Sequence, residues 1–520
     1  MGSIVDAQGR PLASVSAAGS HKGPYLGRLG GQPQALDLLL QPLAGDIHSR
    51  ADKLVTGHAY ARGGVQLHAD YIVGARWKLQ LKPDWLLLGV DPKVGRAWAK
   101  DVEHRFHDWA DDDRGFIDAE GKRNLTMMMR ELVITHTRRN EGFMQSVWVK
   151  RRFCAARTSF KLISPDRISN PHGRADTERL RYGVQLGRYN RALGYHVRGA
   201  HPSQPNYRDW RYVSQYLPWG RRQMLHLFEP WEDGQLRAVS DLLAAVRRVE
   251  LLDKFQDATL QNAIINAFFA ATIESEMDAE TVRQAVLGTG SEANDPLQKH
   301  MQNVQLYHEN ADMRINNARI PHLLPNEELK MHRGAAPTGV AEFESSILRY
   351  LASDLGVSYE MLSRDWSKSN YSTARAGIAQ AFIFFQGRRA LVPARASNMI
   401  LTNWLEEQVL SHGLALPPGV TDFYLASQAL TRCRWIGTGK PKIDGLKEQK
   451  EIREKLELGL SSLEDEFAAS GKDYDEVLEQ QDLEDADMAA RGRKTPWRQG
   501  SVKPIKEAPE VDTNESETEN

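Results

Sequence analysis

The sequence of 520 residues contains only two cysteines, Cys154 and Cys433. Two thiols are too few for a disulfide framework or for a thiolate metal site, and their scarcity fits synthesis in a reducing cytosol. The formal net charge is −1, so the chain as a whole has no charge excess with which to bind a polyelectrolyte. Any function that depends on charge must therefore come from local patterns.

Long uninterrupted apolar segments are also missing. Gln, Asn or Arg interrupts the longest runs, so we expect no segment that spans a bilayer and no membrane partner. The first residues do not combine a basic segment with an apolar core, and we therefore expect no secretory signal. Hydrophobic residues make up 41% and charged residues 26% of the chain, as in globular proteins, and the length leaves room for two to four folding units.

A phosphate-binding loop is suggested at residues 437–440, which read Gly-Thr-Gly-Lys. Such a loop needs a glycine five residues before the Gly-Lys pair and a hydroxyl residue after it. Arg434 and Pro441 stand at these positions, so the segment is interpreted as a tight turn before a charged helix.

Acidic and histidine clusters give no better site. Consecutive carboxylates at Asp111, Asp112 and Asp113 cannot all face one ion from a loop, so they are interpreted as a solvated turn. His104 and His107 lie three apart without an HExxH pattern, and we expect them to be surface or packing residues. We expect no catalytic residue, no metal, no cofactor and hence no enzyme.

Apolar residues at three- and four-residue spacing predict several long helices. They cover residues 94–109, 124–139, 240–274, 342–354 and 372–410, the last with a kink at Pro393. The 240–274 helix would be about 50 Å long and needs partners along its length, which identical helices in a ring would supply. Between Gly142 and Pro230, short Val-, Trp-, Tyr- and Phe-rich runs alternate with turn residues and predict a small sheet.

The two ends of the chain have the composition of unstructured segments. Residues 1–45 are rich in Gly, Ala, Ser and Pro and predict a flexible N-terminal arm. Residues 471–520 are acidic and predict a disordered tail.

The segment from Arg130 to Arg198 is basic, with 15 Lys and Arg against 5 Asp and Glu. Contact with a phosphate backbone, docking of an acidic protein and a merely solvated basic face all fit this composition. A protein that binds DNA through this 130–198 segment without forming a ring is therefore an alternative function.

Six segments spread over residues 59–497 resemble, in order, blocks of the lambda-type bacteriophage portal proteins. They lie at 180–197 (with Gly-Val and then Tyr-His-Val), 225–237 (Leu-His-Leu-Phe-Glu, then Gly-Gln-Leu-Arg), 355–362 (Leu-Gly-Val-Ser-Tyr-Glu-Met-Leu), 370–375 (Asn-Tyr-Ser-Thr-Ala-Arg), 387–389 (Gly-Arg-Arg) and 435–460. Asp233 and Ala238 replace a Pro and a Gly that the family tends to have. Asn190 replaces a common turn glycine, and Asn tolerates left-handed backbone.

The resemblance implies an α+β portal fold with long stem helices, a small strand-rich clip domain, a mixed wing and a helical C-terminal crown. Mapped onto this sequence, the outer wing covers 46–123, the first stem helix 124–142, the clip 143–238, the second stem helix 239–275, further wing 276–370 with a channel loop near 330–340, and the inner wing and crown 371–470.

The family further implies a ring, in the family a dodecamer, that acts as the head–tail connector at one capsid vertex. Double-stranded DNA would pass through its channel during genome packaging and ejection, driven by a separate ATPase. The implied partners are the major capsid protein, the scaffold, the large terminase and the head-completion and tail connector proteins. The protein would occur in the virion, and in the host cytoplasm during assembly.

Candidate site residues follow from this mapping. Lys330, His332 and Arg333 would line the channel. A basic clip surface would dock terminase and connector proteins, through Lys150, Arg151, Arg152, Arg157, Arg179 and Arg181. Each subunit of a closed ring shows two different faces to its neighbours, and an apolar stripe would contribute to them, with Leu252, Phe255, Ile264 and Phe268.

Overall fold

The computed structural model describes residues 35, 37, 41–204, 209–268, 272–275, 306, 313–315, 318–320, 327–330, 340–441, 444–495 and 497, with only the backbone given for 262–268 and for the strands between 272 and 330. The chain divides into two compact units. The larger unit comprises residues 1–244 and 351–520, and the smaller unit comprises residues 245–350.

The α-helices alternate with short strands along the chain. They are Ala44–Gly57, Ala59–Ile72, Trp85–Leu88, Pro92–Ala110, Leu125–Arg139, Leu243–Phe268, Val340–Asp354, Tyr359–Ser363, Tyr371–Arg389, Arg395–Ser411, Phe423–Leu430, Gly445–Glu457, Leu463–Ala469 and Tyr474–Ala490. None of the described helices is long and apolar enough to cross a membrane.

The strands pair into small antiparallel sheets. They are β1 (Lys78–Leu81), β2 (Glu141–Trp148), β3 (Thr158–Ile163), β4 (Leu180–Arg181), β5 (Val184–Leu186), β6 (Ala192–Arg198), β7 (Trp210–Ser214), β8 (Met224–Phe228), β9 (Thr272–Ser275), β10 (Met313–Ile315), β11 (Ala318–Ile320), β12 (Glu327–Lys330) and β13 (Cys433–Ile436). The larger unit contains a three-stranded sheet (β3-β2-β8), a four-stranded sheet (β4-β5-β6-β7) and the β1-β13 pair. This mixture of helices and antiparallel sheets confirms the α+β class.

Side-chain caps explain why the predicted helices end where they do. Asn124 Oδ1 accepts a hydrogen bond from the amide of Met127 at 3.0 Å, and Asn140 ends the same helix with a left-handed φ of 58°. Asp91 caps the next amides of the Pro92–Ala110 helix, with proline at its first position. The helices predicted at 124–139 and 94–109 are thus confirmed.

Two clusters of side chains form the core of the larger unit. Apolar residues of both sheets pack together around Phe143, Tyr195 and Met224, each at most 2% exposed. Among the helices, the ring of Trp404 lies 5.3 Å from that of Phe106 and 5.9 Å from that of Trp109. The three-stranded and the four-stranded sheet therefore share one apolar cluster.

The flexible arm predicted at 1–45 is wrong for the residues nearest its end. Asp37 is buried, and its carboxylate accepts a hydrogen bond of 2.7 Å from the amide of Leu236. A 3-10 turn at Gln41–Leu43 then leads into the Ala44–Gly57 helix. The chain is therefore attached to the four-stranded region before residue 45, while most of residues 1–40 lie outside the described chain.

The disordered tail predicted from residue 471 is also wrong in its first part. Residues Tyr474–Ala490 form a helix capped by Asp473. Acidic side chains of this helix form ion pairs with lysines elsewhere in the larger unit. For this reason the high negative charge does not keep the segment unfolded. Residues 498–520 lie outside the described chain.

Two other helices differ from their predictions. The 240–274 helix ends at Phe268, and Thr272–Ser275 form β9, which pairs with β12. The 372–410 helix is interrupted where predicted, by a single π turn at Ala390–Ala394 that contains Pro393, since proline cannot donate the helical hydrogen bond.

Candidate functional site

A buried ion pair fixes the start of the three-stranded sheet. Glu141, the first residue of β2, is fully buried; Arg237 Nε lies 2.8 Å from its Oε2 and Nη2 lies 2.5 Å from its Oε1. The three remaining N–H groups of Arg237 donate to the carbonyl oxygens of Pro165, Ile168 and Tyr182 at 2.9–3.1 Å. Each donor of this guanidinium thus has an acceptor, and one side chain ties β2 to the loops between the two sheets.

The electrostatics of this pair follow from its burial. Burial alone would raise the pKa of Glu141, but the charge of Arg237 and the hydrogen bonds from Arg237 and His226 hold it well below its ordinary value. His226 Nε2 donates to Glu141 Oε2 at 3.1 Å, while burial lowers the pKa of His226. The carboxylate stays charged in the folded chain, which makes the network structural.

Two helices of the smaller unit pack side by side in opposite directions. The guanidinium carbon of Arg248 lies 3.7 Å from the ring centre of Tyr350. Further along, the rings of Phe255 and Phe343 are 4.7 Å apart. The antiparallel course continues in the backbone, because β9 pairs with β12 in the same sense.

This pairing changes the interpretation of the predicted subunit interface. Leu252 is fully buried, and Phe255 is half-buried against Phe343, so both are engaged within the chain. Ile264 and Phe268 lie where only the backbone is described. Among the described side chains of this helix, which end at residue 261, the exposed large apolar ones are Leu251 and Leu260, at 50% and 61% exposure.

Of the predicted channel residues, Lys330 alone is within the described chain. It is the last residue of β12 and pairs with Thr272 of β9. His332 and Arg333 lie outside the described residues, so the channel loop stays a prediction.

The predicted basic surface falls on two different sheets. Lys150, Arg152 and Arg157 are exposed in the β2–β3 connection. Arg151 is half-buried there and donates to the backbone oxygen of Asp118. The structure therefore separates these four residues from the other two.

Glu407 holds the end of the β2–β3 connection in place. Its carboxylate accepts hydrogen bonds from the amides of Arg157 and Thr158 at 2.7 and 2.8 Å. Arg179 and Arg181 belong to the edge of the four-stranded sheet, where Arg181 Nη2 donates to Asn190 Oδ1 at 2.9 Å. Asn190 has a φ of 56°, in line with the tolerance expected of asparagine.

The glycines at 437 and 439 serve close packing. A Cβ on Gly437 would lie 2.7 Å from the carbonyl oxygen of Ile72, and one on Gly439 would lie 2.4 Å from the carbonyl carbon of Ser470. Arg389 Nη2 donates to the carbonyl oxygen of Thr438 at 2.7 Å. This segment, predicted to be a tight turn, has no regular secondary structure, and its backbone packs closely against the end of the Ala59–Ile72 helix and against Ser470.

The acidic turn after the Pro92–Ala110 helix uses its carboxylates within the chain. Asp112 pairs with Arg114 at 2.6 Å, and Asp111 Oδ2 lies 2.9 Å from His107 Nδ1. In the part of the chain that the structure describes, no group of three or more His, Cys, Asp and Glu side chains is placed to hold a metal ion.

Sequence reasoning missed the ion pairs that attach the C-terminal helices. Four pairs join Leu463–Ala469 and Tyr474–Ala490 to β1, β13 and their surroundings: Lys78–Glu476, Lys82–Glu464, Lys100–Glu479 and Arg434–Asp465. In the sequence, the acidic run itself indicates these ion pairs, because acidic helices without Lys or Arg of their own need cations from elsewhere in the chain.

A small polar cavity in the larger unit was also missed. Asp241, Asp354, His68, His136 and Arg388 line it. Burial, together with the charge of Asp241, raises the pKa of Asp354 to about 7. Burial lowers the pKa of His68 to about 4 and that of His136 to about 3, so both histidines are neutral in the folded chain at pH 7.

The buried polar side chains described above hydrogen-bond to one another and to the backbone, and they stabilise the fold of this chain. A family model described as phage portal protein, lambda family, matches residues 26–389. The chain belongs to this family, and its function is that of a portal protein, a part of the head–tail connector of a bacteriophage virion.

Individual relatives support this membership. The chain is 37% identical to portal protein B of Escherichia phage lambda over 492 residues, which are 94% of this chain and 92% of that protein. It is 38% identical to the portal protein of Escherichia phage N15 over 491 residues, 92% of each. Among solved structures it is similar, with a TM-score of 0.46 and 14% identity, to a chain in the neck of an empty GTA particle, covering 82% of this chain and 94% of that one.

Proposed function

We propose that twelve copies of this chain close into a ring at one vertex of the capsid. The ring is the channel through which double-stranded DNA is packaged and ejected. The observation that carries the proposal is the family match over most of the chain, with two portal proteins 37% and 38% identical to it. A separate ATPase supplies the energy, and this chain does no bond-breaking chemistry.

The channel must hold DNA weakly. Contacts with phosphates provide this, because their strength does not depend on base sequence and falls steeply with salt. Lys330, His332 and Arg333 are the residues we propose for this contact. The place of Lys330 in β12, which pairs with the strand just beyond the Leu243–Phe268 helix, supports the first of them.

The smaller unit supplies the stem. The sequence pairs a stem helix at 124–142 with one at 239–275 around a clip at 143–238. In the structure, Met128, Met129 and Leu132 of the first helix are buried in the core of the larger unit. The contacts of Arg248 with Tyr350 and of Phe255 with Phe343 favour a stem made of Leu243–Phe268 and Val340–Asp354.

The subunit interface uses the exposed side of this stem. Leu251 is 50% exposed and Leu260 is 61% exposed. Large apolar side chains of this kind become buried between subunits when a ring closes. Ile264 and Phe268 remain part of the proposed interface. Leu252 and Phe255 are assigned to packing within the subunit.

Docking of acidic partners uses exposed cations of the larger unit. Lys150, Arg157 and Arg179 are exposed, and the structure shows no carboxylate partner for them within the described chain. We propose that the large terminase and the head-completion proteins bind to these exposed cations. The major capsid protein and the scaffold contact other surfaces of the ring at the vertex.

Native mass spectrometry of the purified chain tests the ring. The wild type is expected at a mass of twelve subunits, and Leu251→Asp/Leu260→Asp at a lower yield of rings. The exposed Leu425, 89% accessible on a helix of the larger unit, provides the matched control Leu425→Asp, which is expected to assemble normally. A wild type that stays a single chain and binds DNA in a salt-sensitive way would favour the DNA-binding alternative and refute the ring.

A further inference from the structure

Two loops of the larger unit share an unusual local structure, an arginine followed by an aromatic residue with left-handed backbone. Phe153, in the β2–β3 connection, has a φ of 70°, and Tyr189, in the β5–β6 connection, has a φ of 61°. This conformation is unfavourable for a bulky residue, because its Cβ crowds the following carbonyl oxygen. Each loop therefore holds a strained aromatic residue.

Both rings are turned toward solvent. The side chains of Phe153 and Tyr189 are 77% and 86% exposed. The guanidinium of Arg152 lies 5.0 Å from the first ring centre, and that of Arg188 lies 4.9 Å from the second. Two unrelated strand connections thus present the same combination of a cation and a ring, which we name the Phe153 tip and the Tyr189 tip.

Other left-handed residues of the chain show what is missing at the tips. Tyr182, with a φ of 52°, donates from its hydroxyl to the carbonyl oxygen of Asp37 at 3.3 Å. His172, with a φ of 53°, packs its ring 5.1 Å from that of Trp210. Among the ring–ring and cation–ring contacts of the described residues, each of these two rings has one, with the arginine that precedes it. Their strain is not offset by packing inside the subunit.

We propose that both tips are subunit contacts, each seated on a neighbouring copy of this chain. The inference rests on the ring proposed above. We expect backbone strain at an exposed site to be offset by a contact that the free chain lacks. In a closed ring, each subunit makes the same contact with the next subunit, so such a contact is repeated around the ring. Arginine and tyrosine are also among the residues that dominate the energy of protein interfaces.

The chain carries a surface that complements the tips. The Tyr474–Ala490 helix has seven acidic residues and no Lys or Arg. Leu483 is 67% exposed on it, and its neighbours Asp482 and Glu484 are exposed as well. Exposed carboxylates and an exposed leucine on one helix match an exposed ring with a guanidinium beside it, so the acidic helix of the adjacent subunit is the occupant that charge complementarity selects.

The double variant Phe153→Gly/Tyr189→Gly separates a contact role from a structural role. Glycine adopts left-handed backbone without strain, so the dissociated variant should unfold at no lower temperature than the wild type. Loss of the two rings should raise the subunit concentration at which half of the chains form rings by roughly tenfold or more, measured by sedimentation velocity. Phe153→Asn/Tyr189→Asn, which also tolerates left-handed backbone, is a second variant in case the first does not fold.

A third pair of arginine and aromatic ring provides the control. The guanidinium of Arg222 lies 5.6 Å from the ring centre of Tyr216, which is 41% exposed and does not have left-handed backbone. Tyr216→Ala should assemble like the wild type. Asp482→Arg/Glu484→Arg should impair assembly, and combining it with Arg152→Glu/Arg188→Glu should restore it.

The outcomes separate this inference from the ring itself. If the wild type forms no ring, the proposed function fails. If the wild type forms rings and both double variants form them at the same concentration, the assignment of the tips is overturned while the ring stands. If the double variants assemble normally but bind a short DNA duplex more weakly than the wild type, the tips contact nucleic acid, and the proposal is overturned as well.

Discussion

Glu141 and Arg237 are 96 residues apart in the sequence, yet Nε of Arg237 lies 2.8 Å from Oε2 of Glu141 in the buried interior. The pair connects the first strand of the three-stranded sheet with the segment that precedes the Leu243–Phe268 helix. Because the same guanidinium binds three loop carbonyls, the position of the loops between the two sheets depends on it.

Removing one partner of this pair should be costly. Glu141→Ala leaves a buried guanidinium without its countercharge, and we expect a loss of about 3–5 kcal/mol in the free energy of unfolding. Urea unfolding of dissociated subunits measures it. The control is Glu141→Gln, whose side-chain oxygen can still accept from Arg237 and which leaves the three hydrogen bonds to the loop carbonyls in place, so it should cost less than Glu141→Ala. A loss below about 1 kcal/mol for the single variant would contradict this role.

The pH dependence of this pair has a defined sign. The pKa of Glu141 is lowered in the folded chain, so its contribution is present above the ordinary carboxyl range and disappears as the pH falls toward the folded value. The difference between wild type and Glu141→Ala should therefore be full at neutral pH and shrink steadily once the pH falls below the ordinary carboxyl pKa of 4.5.

Asp354 should have the opposite effect. Burial and the nearby Asp241 raise its pKa from 3.8 to about 7, so the folded chain binds more protons than the unfolded chain between these values. Stability from this group falls as the pH rises through that window. Asp354→Asn should be more stable than the wild type at pH 8, with the gain reduced at pH 5, in thermal unfolding of dissociated subunits.

The histidines that line this cavity also make the stability of the chain depend on pH. His68 and His136 have lowered pKa values and favour the folded state as the pH rises toward 6.5, in the variant as in the wild type. An equal effect of Asp354→Asn at pH 5 and pH 8 would show that Asp354 does not titrate in this range.

Gly439→Ala tests the close approach of two backbones. The new Cβ would stand 2.4 Å from the carbonyl carbon of Ser470, and relief of this overlap should cost about 1–3 kcal/mol of stability. Gly445 is the matched control, because a Cβ added there would meet no atom within 4 Å. Gly445→Ala should be neutral or slightly stabilising, because alanine is the better helix former. Equal effects of both substitutions on thermal unfolding would argue against a packing role.

The attachment of the C-terminal helices should depend on charge. Lys78 pairs with Glu476 and Lys82 with Glu464, both partly exposed. Lys78→Glu/Lys82→Glu should speed amide hydrogen exchange in 463–490 up to about thirtyfold, since each of the two exposed pairs contributes at most about 1 kcal/mol. High salt should act in the same direction on the wild type, because it screens exposed pairs.

The matched control for this charge reversal is Lys93→Glu. Lys93 is exposed on the Pro92–Ala110 helix, and the structure shows no ion pair for it among the described residues. It should leave exchange in 463–490 unchanged. If it speeds exchange as much as the double variant does, net charge and not pairing would be the cause.

Local patterns were sufficient for helices that have their own caps and an apolar face. The 124–139 prediction agrees with Leu125–Arg139 because Asn124 and Asn140 mark both ends in the sequence. The 240–274 prediction ran too far, since no Gly or Pro lies between Phe268 and Glu274 to mark an end. Thr272–Ser275 instead pair with Glu327–Lys330, a long-range contact that no local pattern contains.

The candidate sites show the same limit. Composition located the basic residues but could not divide them between two sheets. The acidic C-terminal run looked unstructured because its cations, such as Lys78, are about 400 residues away. The left-handed backbone of Phe153 and Tyr189 has no signal at all in the sequence, because neither is a Gly, Asn or Asp.

Electron microscopy of the purified chain, viewed along the axis of its particles, tests the central claim most directly. We predict closed rings of twelve subunits around an open hole that admits duplex DNA. Particles that are single compact chains at every concentration, or closed assemblies without a central opening, would contradict the account.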